Sequence, residues 1–272
     1  MTQEAGPADG LERLRRWRDE DRGVPPAVGR FDAQLASVER GVTHVRLPVT
    51  AELRRPGGEP TGAVSCLLAD FGLTTSVVST LPDLRGVTTI SMTVDHLGPA
   101  PVQGDLHAEC EASPYAGDGP AYAAGVLRDD DGREVARVSG WLLPTPAAGL
   151  SADRVGLVRE QPAGDLLELL RIGPGPEFEL VARDALSNAI GSLHGGIGAL
   201  ASQLAAETAL GEGVRPLTST FAYLRPTPRD GCVTVRGSVV RRGRRTGAAA
   251  ADLVDPDGRL VLRATVGAAL GG

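Results

Sequence analysis

Asp70 stands in the run CLLADFG, with Leu67, Leu68, Ala69 and Phe71 as its neighbours. A carboxylate inside so apolar a segment is costly unless it is paired or put to use. Far along the chain, His194-Gly195-Gly196 opens a second apolar run, IGALASQLAAETAL. The first N–H groups of a helix lack intrahelical partners and lie at its positive end. Glycine at that point lets a carbonyl group approach with no Cβ in the way. An imidazole and two glycines at a helix start therefore suggest an active site. That helix, however, carries Gln203 where a carboxylate is expected.

The elements that must position these residues follow from patterning. The segment 61–80 reads as an apolar helix, and 194–210 as another. Alternation in GVTHVRLPV sets Val45, Leu47 and Val49 on one face and Val42, His44 and Arg46 on the other, as in a strand. VTTISMTVDHL, GDLHAECEAS, AYAAGVLRDDDG and REVARVSGWLL read as four strands, with DDDG at 129–132 as a hairpin turn. Residues 9–22 form a short charged helix ahead of the helix-breaking VPPAVG. PTPAAGLSADRVGLVREQPAGD is the linker candidate, and beyond it the order repeats. FELVARDAL, the helix from His194, and four strands follow, with DPDG at 255–258 in the place of DDDG.

The two halves superpose by residue. Leu97-Gly98-Pro99 matches Leu224-Arg225-Pro226 at a displacement of 127, and Asp131-Gly132-Arg133 matches Asp257-Gly258-Arg259 at 126. A duplication held in register over such a length sets the architecture. A helix followed by an antiparallel meander, twice over, predicts α+β. The expected organisation is an N-terminal extension at 1–27, a first domain at 28–146, a linker at 147–164 and a second domain at 165–272.

Bulk properties narrow the function. The 272 residues are enough for one large core or two of ordinary size. Aromatic residues make up 3%, so that core rests on Val, Leu and Ala. A net charge of −6 argues against a general nucleic-acid or anionic-membrane binder. No apolar run approaches the ~20 residues of a membrane span, and the polar N-terminus lacks a signal-peptide core. Cys66, Cys110 and Cys232 have no metal-type spacing and read as small hydrophobes in a reducing, cytoplasmic setting. No metal and no cofactor are expected.

The motifs resemble those of tandem, or double, hotdog-fold acyl-CoA thioesterases, in the phenylacetyl-CoA thioesterase branch. The resemblance covers about residues 28–146 and 165–272. Its pattern has an Asn six residues before His-Gly-Gly, an acid nine residues after the His, and a Ser or Thr eighteen beyond the acid. The second half supplies Asn188, His194, Gly195 and Gly196 but has Gln203 at the acid position. The first half has Arg55 and Thr61-Gly62-Ala63 at the earlier positions, but keeps Asp70 and Thr88. The losses are complementary. In the single-domain family two subunits pair, each site taking its His-Gly end from one and its acid from the other. The resemblance thus implies two hotdog domains, each a long helix wrapped by an antiparallel sheet, paired as an intramolecular pseudo-dimer. One composite site would join Asn188, His194 and Gly195 to Asp70 and Thr88. The opposite site, with Thr61, Gly62 and Gln203, would be silent.

Within that site the Gly195 amide is the expected oxyanion donor, a role typically worth about 2.7–4 kcal/mol. His194 or Asn188 would orient the thioester, and Thr88 would position water. Asp70 can act as general base on water or attack directly to form a mixed anhydride. Gly196 is placed with the substrate-binding residues. Arg225, Arg242, Arg244 and Arg245 are candidates for the CoA phosphates, because a guanidinium donates bidentate bonds to phosphate. Each residue also has a plainer reading: Asp70 bonded to backbone, His194 a helix cap, Asn188 a turn residue, Thr88 an ordinary strand threonine, and the arginines an exposed hairpin. His44, His96 and His107 read as structural or surface residues. The partner implied is acyl-CoA, and hotdog sheets leave room for a homo-oligomer. The rival functions are a non-catalytic acyl-CoA binder and a hotdog hydratase or dehydratase.

Overall fold

A computed structural model describes residues 9–20, 24–114, 117, 119–146 and 163–271. The expected linker at 147–164 lies outside them except for Ala163 and Gly164. The elements run α1 (Gly10–Glu20), α2 (Pro26–Arg30), β1 (Gln34–Glu39), β2 (Val42–Pro48), α3 (Ala63–Val78), β3 (Gly86–His96), β4 (Asp105–Ala112), β5 (Ala121–Asp129) and β6 (Glu134–Thr145). They continue with α4 (Leu166–Leu170), β7 (Glu177–Val181), α5 (Gly195–Leu210), β8 (Val214–Tyr223), β9 (Cys232–Arg242), β10 (Thr246–Val254) and β11 (Leu260–Leu270). The α+β class read from the sequence agrees with this architecture. β1, α2 and α4 are elements the patterning did not single out. None of the described helices is long and apolar enough to cross a membrane.

The eleven strands of the described residues join one antiparallel sheet in the order β1-β2-β4-β5-β6-β3-β8-β11-β10-β9-β7. Its middle is the β3–β8 pairing, which sets Ser91 opposite Ala222 and Asp95 opposite Thr218. The sheet curves around α3 and α5, which also pack on each other. Every residue of α3 except Thr74 is buried, and α5 is nearly as enclosed. A helix that is apolar all round belongs in a core, and these two form it. The predicted alternation in β2 holds, with Val45 and Leu47 buried and His44 exposed. DDDG and DPDG build the same turn: Gly132 N–H reaches Asp129 O at 2.9 Å with φ of 79°, and Gly258 N–H reaches Asp255 O at 2.9 Å with φ of 78°.

The scarcity of aromatics is matched by close backbone approach. The two helices run antiparallel, so the start of each lies beside the middle of the other. Gly196 abuts Leu67 and Asp70, while Gly62 abuts Gln203. On the outer side of α5, a Cβ at Gly237 of β9 would lie 2.2 Å from Ala205 O, a backbone atom that cannot swing away. Gly237→Ala is therefore expected to cost about 1–3 kcal/mol of stability through overpacking. Urea unfolding monitored by circular dichroism reads it, and an unchanged midpoint would refute this account of the packing.

Candidate active site

The Asp70 side chain, on the middle turn of α3, is 2% exposed and points at the first turn of α5. Its Oδ1 accepts from Thr89 Oγ1 at 2.6 Å, and its Oδ2 accepts from Gly196 N–H at 2.8 Å. His194 Nδ1 lies 3.1 Å from the same Oδ2 and also 3.1 Å from Gly196 N. The anionic oxygen is the stronger acceptor for both N–H groups, so the arrangement favours the imidazole tautomer with its proton on Nδ1. Phe71 fixes the other side of the ring edge-on, with centroids 4.4 Å apart. Burial pushes the Asp70 pKa up, but His194, Thr89 and the Gly196 amide outweigh it and hold the carboxyl below the usual aspartate range. The positive end of α5 acts in the same direction.

Gly195 comes one residue earlier in the chain than that amide. A Cβ there would lie 2.9 Å from Asp70 Oδ2, so only glycine fits beside the carboxylate. Gly195 O accepts from Tyr223 Oη at 3.2 Å, while its N–H has no acceptor among the described residues. Burial and the nearby Asp70 charge push the Tyr223 phenol well above its usual range, keeping it a neutral donor. Asp70, Gly195, Tyr223, His194 and Thr89 line one cavity of about 350 Å³, walled also by Val87, Ile90, Leu143, Leu253 and Leu262.

Several expected residues take other places. Thr88 lines the cavity, but its hydroxyl faces Leu143 O at 3.4 Å, and Thr89 holds Asp70 instead. Counting back by twos from the inward Met92 selects Thr88, but an irregularity between Thr89 and Ser91 reverses the phase. Asn188 is a turn residue as well as a cavity-edge residue. Its Oδ1 accepts from the Ile190 and Ser192 amides, both at 3.0 Å, and its Nδ2 donates to Ser192 Oγ at 2.8 Å. The Gly196 amide is taken by Asp70, so it holds the carboxylate rather than facing a substrate. Arg225 sits at the cavity mouth, where Nη1 donates to Leu260 O at 2.6 Å.

Arg242, Arg244 and Arg245 are not brought to this cavity. They belong to the β9–β10 hairpin, and Arg242 flanks Gly211, just beyond the C-terminal end of α5. That is about one sixteen-residue helix length, ~24 Å, from His194. Thr89 and Tyr223 are the residues the sequence reading missed. The one hint for Tyr223 was the repeat itself, since the register of 127 pairs it with His96.

The opposite junction has different chemistry. Gln203 Oε1 accepts from Cys66 Sγ at 2.8 Å and from Ser219 Oγ at 2.9 Å, while Nε2 donates to Glu207 Oε1 at 2.8 Å. Glu207 pairs with Arg55 at the edge of a cleft of about 840 Å³ that Thr61, Gly62 and His96 also line. His96 is buried there, 3.3 Å from Ser219 Oγ. The acids and histidine close enough to share a metal among the described residues are Asp105, His107 and Asp130, at the surface and outside both cavities.

Known proteins can be set beside this geometry. Residues 184–269 match the family described as the acyl-CoA thioesterase N-terminal domain. Among curated protein sequences, none matches the chain. Solved structures match over most of its length. A candidate oleoyl thioesterase from Lactobacillus plantarum has a TM-score of 0.61 at 10% identity, over 86% of this chain and 99% of its own. The 12:0-ACP thioesterase from Umbellularia californica has 0.58 at 12%, over 84% and 93%. A hot dog fold protein of unknown function from Alicyclobacillus acidocaldarius has 0.55 at 13%, over 88% and 96%. The fold is a hotdog. The resemblance to hotdog-fold acyl-CoA thioesterases read from the sequence agrees with both comparisons, and they support a thioester hydrolase.

Two outcomes follow for this hotdog protein. Thr89→Val removes a hydrogen bond to a buried charge and is expected to cost about 1.5–3 kcal/mol in urea unfolding. Thr88→Val is expected to cost less than ~1 kcal/mol, and equal losses would contradict the assignment of Thr89. Burial also lowers the His96 pKa from 6.5 to about 4, against the pull of Gln203 and Asp95. Unfolded chains then bind the extra proton first, so this contribution is complete above about pH 6.5 and is lost as pH falls toward 4. Its full size is about 3 kcal/mol. His96→Gln is expected to flatten the dependence of unfolding free energy on pH across that window.

Proposed function

We propose that the chain is an acyl-CoA thioesterase with one hydrolytic site, formed where two hotdog units at 28–146 and 165–272 face each other as an intramolecular pseudo-dimer. The observation that carries this reading is the Asp70 carboxylate of α3 in one cavity with the unpaired Gly195 N–H of α5. The thioester carbonyl oxygen sits at the Gly195 amide, where the helix N-terminus stabilises the oxyanion of the tetrahedral intermediate. Asp70 takes the proton from a water that attacks the carbonyl carbon. The donors from Thr89, His194 and Gly196 immobilise the carboxylate, which favours water over Asp70 as the mobile nucleophile. Collapse of the intermediate breaks the C–S bond, and the acid formed on Asp70 returns its proton to the departing thiolate. Tyr223 fixes the Gly195 peptide through its carbonyl, and Arg225 at the mouth is the arginine placed to meet the carrier's phosphates.

The Gln203 junction is silent in this scheme. A neutral amide is no base, and its oxygen is already engaged by Cys66 and Ser219. The free thiols of Cys66, Cys110 and Cys232 fit a reducing, cytoplasmic setting. Trp141, exposed on the outer sheet face and packed on Tyr122, marks where a homo-oligomer would associate.

Asp70→Asn is expected to lower kcat/KM on acyl-CoA substrates by about 10²–10⁴-fold, as loss of a general base does. A thiol reagent follows CoA release across a panel of acyl-CoAs, with circular dichroism to verify folding. Wild-type turnover that survives in a folded Asp70→Asn variant overturns the proposal. Acyl-CoA binding with no wild-type turnover supports the non-catalytic binder instead.

A further inference from the structure

A second, smaller cavity abuts the one at Asp70. Thr74, Val87, Asn188, Ile190 and His194 line both. The smaller space is about 70 Å³, room for two groups of roughly water size at ~30 Å³ each. Its far wall is α1, from the segment ahead of the first hotdog unit, which contributes Arg13, Leu14 and Trp17. Leu14 and Trp17 are 3% and 7% exposed, so this wall is packed in place. The start of α1 is pressed onto the end of α3: Gly10 N–H bonds Leu81 O at 3.2 Å, and a Cβ at Gly10 would lie 1.9 Å from Val78 O. Along α3, Thr74 and Val78 stand one and two turns beyond Asp70, so the pocket ends about 12 Å from the carboxylate.

Arg13 is the unusual member of that end wall. Its guanidinium has one contact at the limit of hydrogen bonding, Nη1 to Arg85 O at 3.5 Å. Among the described residues no carboxylate pairs with it: Glu12 is held by Arg16, Asp9 by Arg40 and Asp83 by Arg85. Burial with no compensating anion pulls its pKa below the usual arginine range. Arg13 is half-buried and lines the end of the smaller cavity, so an anion seated there would meet a guanidinium that has no carboxylate partner among the described residues.

We propose that α1 closes the acyl pocket and that Arg13 is its terminal recognition group, so the preferred acyl chain is of medium length and ends in a carboxylate. The inference rests on the hydrolase reading of the Asp70 cavity. A terminal carboxylate would accept two parallel bonds from the guanidinium, while the chain lies against Val87 and Ile190. A plain alkyl chain of the same length would strip water from Arg13 and return no bond.

The test compares octanoyl-CoA with the mono-CoA thioester of octanedioic acid, on wild type and on Arg13→Met, which keeps an apolar chain of similar reach. Wild type is expected to favour the carboxylated substrate at least ten-fold in kcat/KM. Arg13→Met is expected to raise KM for the carboxylated substrate, so that the ratio of the two kcat/KM values falls to about one. Equal wild-type turnover of both substrates, or an Arg13→Met variant that slows both alike, overturns the inference. Calorimetric binding of the two non-hydrolysable thioether analogues to wild type reads the same preference without chemistry. Preferential binding with no hydrolysis of either thioester would sink the hydrolase reading while sustaining the recognition by Arg13. Hydrolysis without preference would do the reverse.

Discussion

One ionised carboxylate in a nonpolar interior ties this molecule together. Asp70 lies in a helix with almost no solvent contact, and its charge is tolerable because three donors meet it. Thr89 comes from β3, the Gly196 amide from the first turn of α5, and His194 from the residue capping that helix. These donors are brought in by different elements. The antiparallel contact of α3 with α5, the joining of β3 to β8 and the irregular stretch of β3 must all be in place to complete the set. Removing any one leaves a buried charge short of partners, which costs more than an ordinary lost hydrogen bond.

The same helix contact has a second end, and its chemistry differs for a simple reason. An amide donates and accepts at once, whereas a carboxylate only accepts. Gln203 therefore links Cys66 and Ser219 on its oxygen to Glu207 on its nitrogen, and Glu207 is neutralised by Arg55. The atoms nearest the helix start at Gly62 belong to Pro216, Gln203 and His96, with no carboxylate oxygen among them. A pairing that would be symmetric in two identical subunits has room here for two unlike junctions, one ionised and one closed into a network. Our reading of one hydrolytic site per chain rests on that difference.

Much of the fold was legible in the sequence because burial and turn chemistry are local signals. The unbroken apolar character of 63–78 and 195–210 marks central helices, and DDDG and DPDG build matching turns. The site was legible in part. Asp70, His194 and Gly195 stood out through their types and spacing, and they share one cavity. Thr89 did not, because an irregularity in a strand leaves no mark in a period-two count. Tyr223 was hidden for another reason: an aromatic in a strand reads as core until its hydroxyl is seen to hold Gly195 O. Arg242, Arg244 and Arg245 look like phosphate ligands by composition, but the hairpin carries them past the far end of α5.

The sequence by itself determined the classes of element, their repetition and the presence of a carboxylate that needed partners. Those properties depend on side-chain hydrophobicity and backbone preference, which act over a few residues. Only the tertiary structure decided which partners that carboxylate has, which of two adjacent threonines faces it, and that a charged N-terminal helix lines a smaller cavity next to its own. Such choices follow from strand phase and from contacts between segments more than a hundred residues apart, as between Asp70 and Gly196. No local pattern encodes them. They are set when the two helices and the shared sheet close on one another.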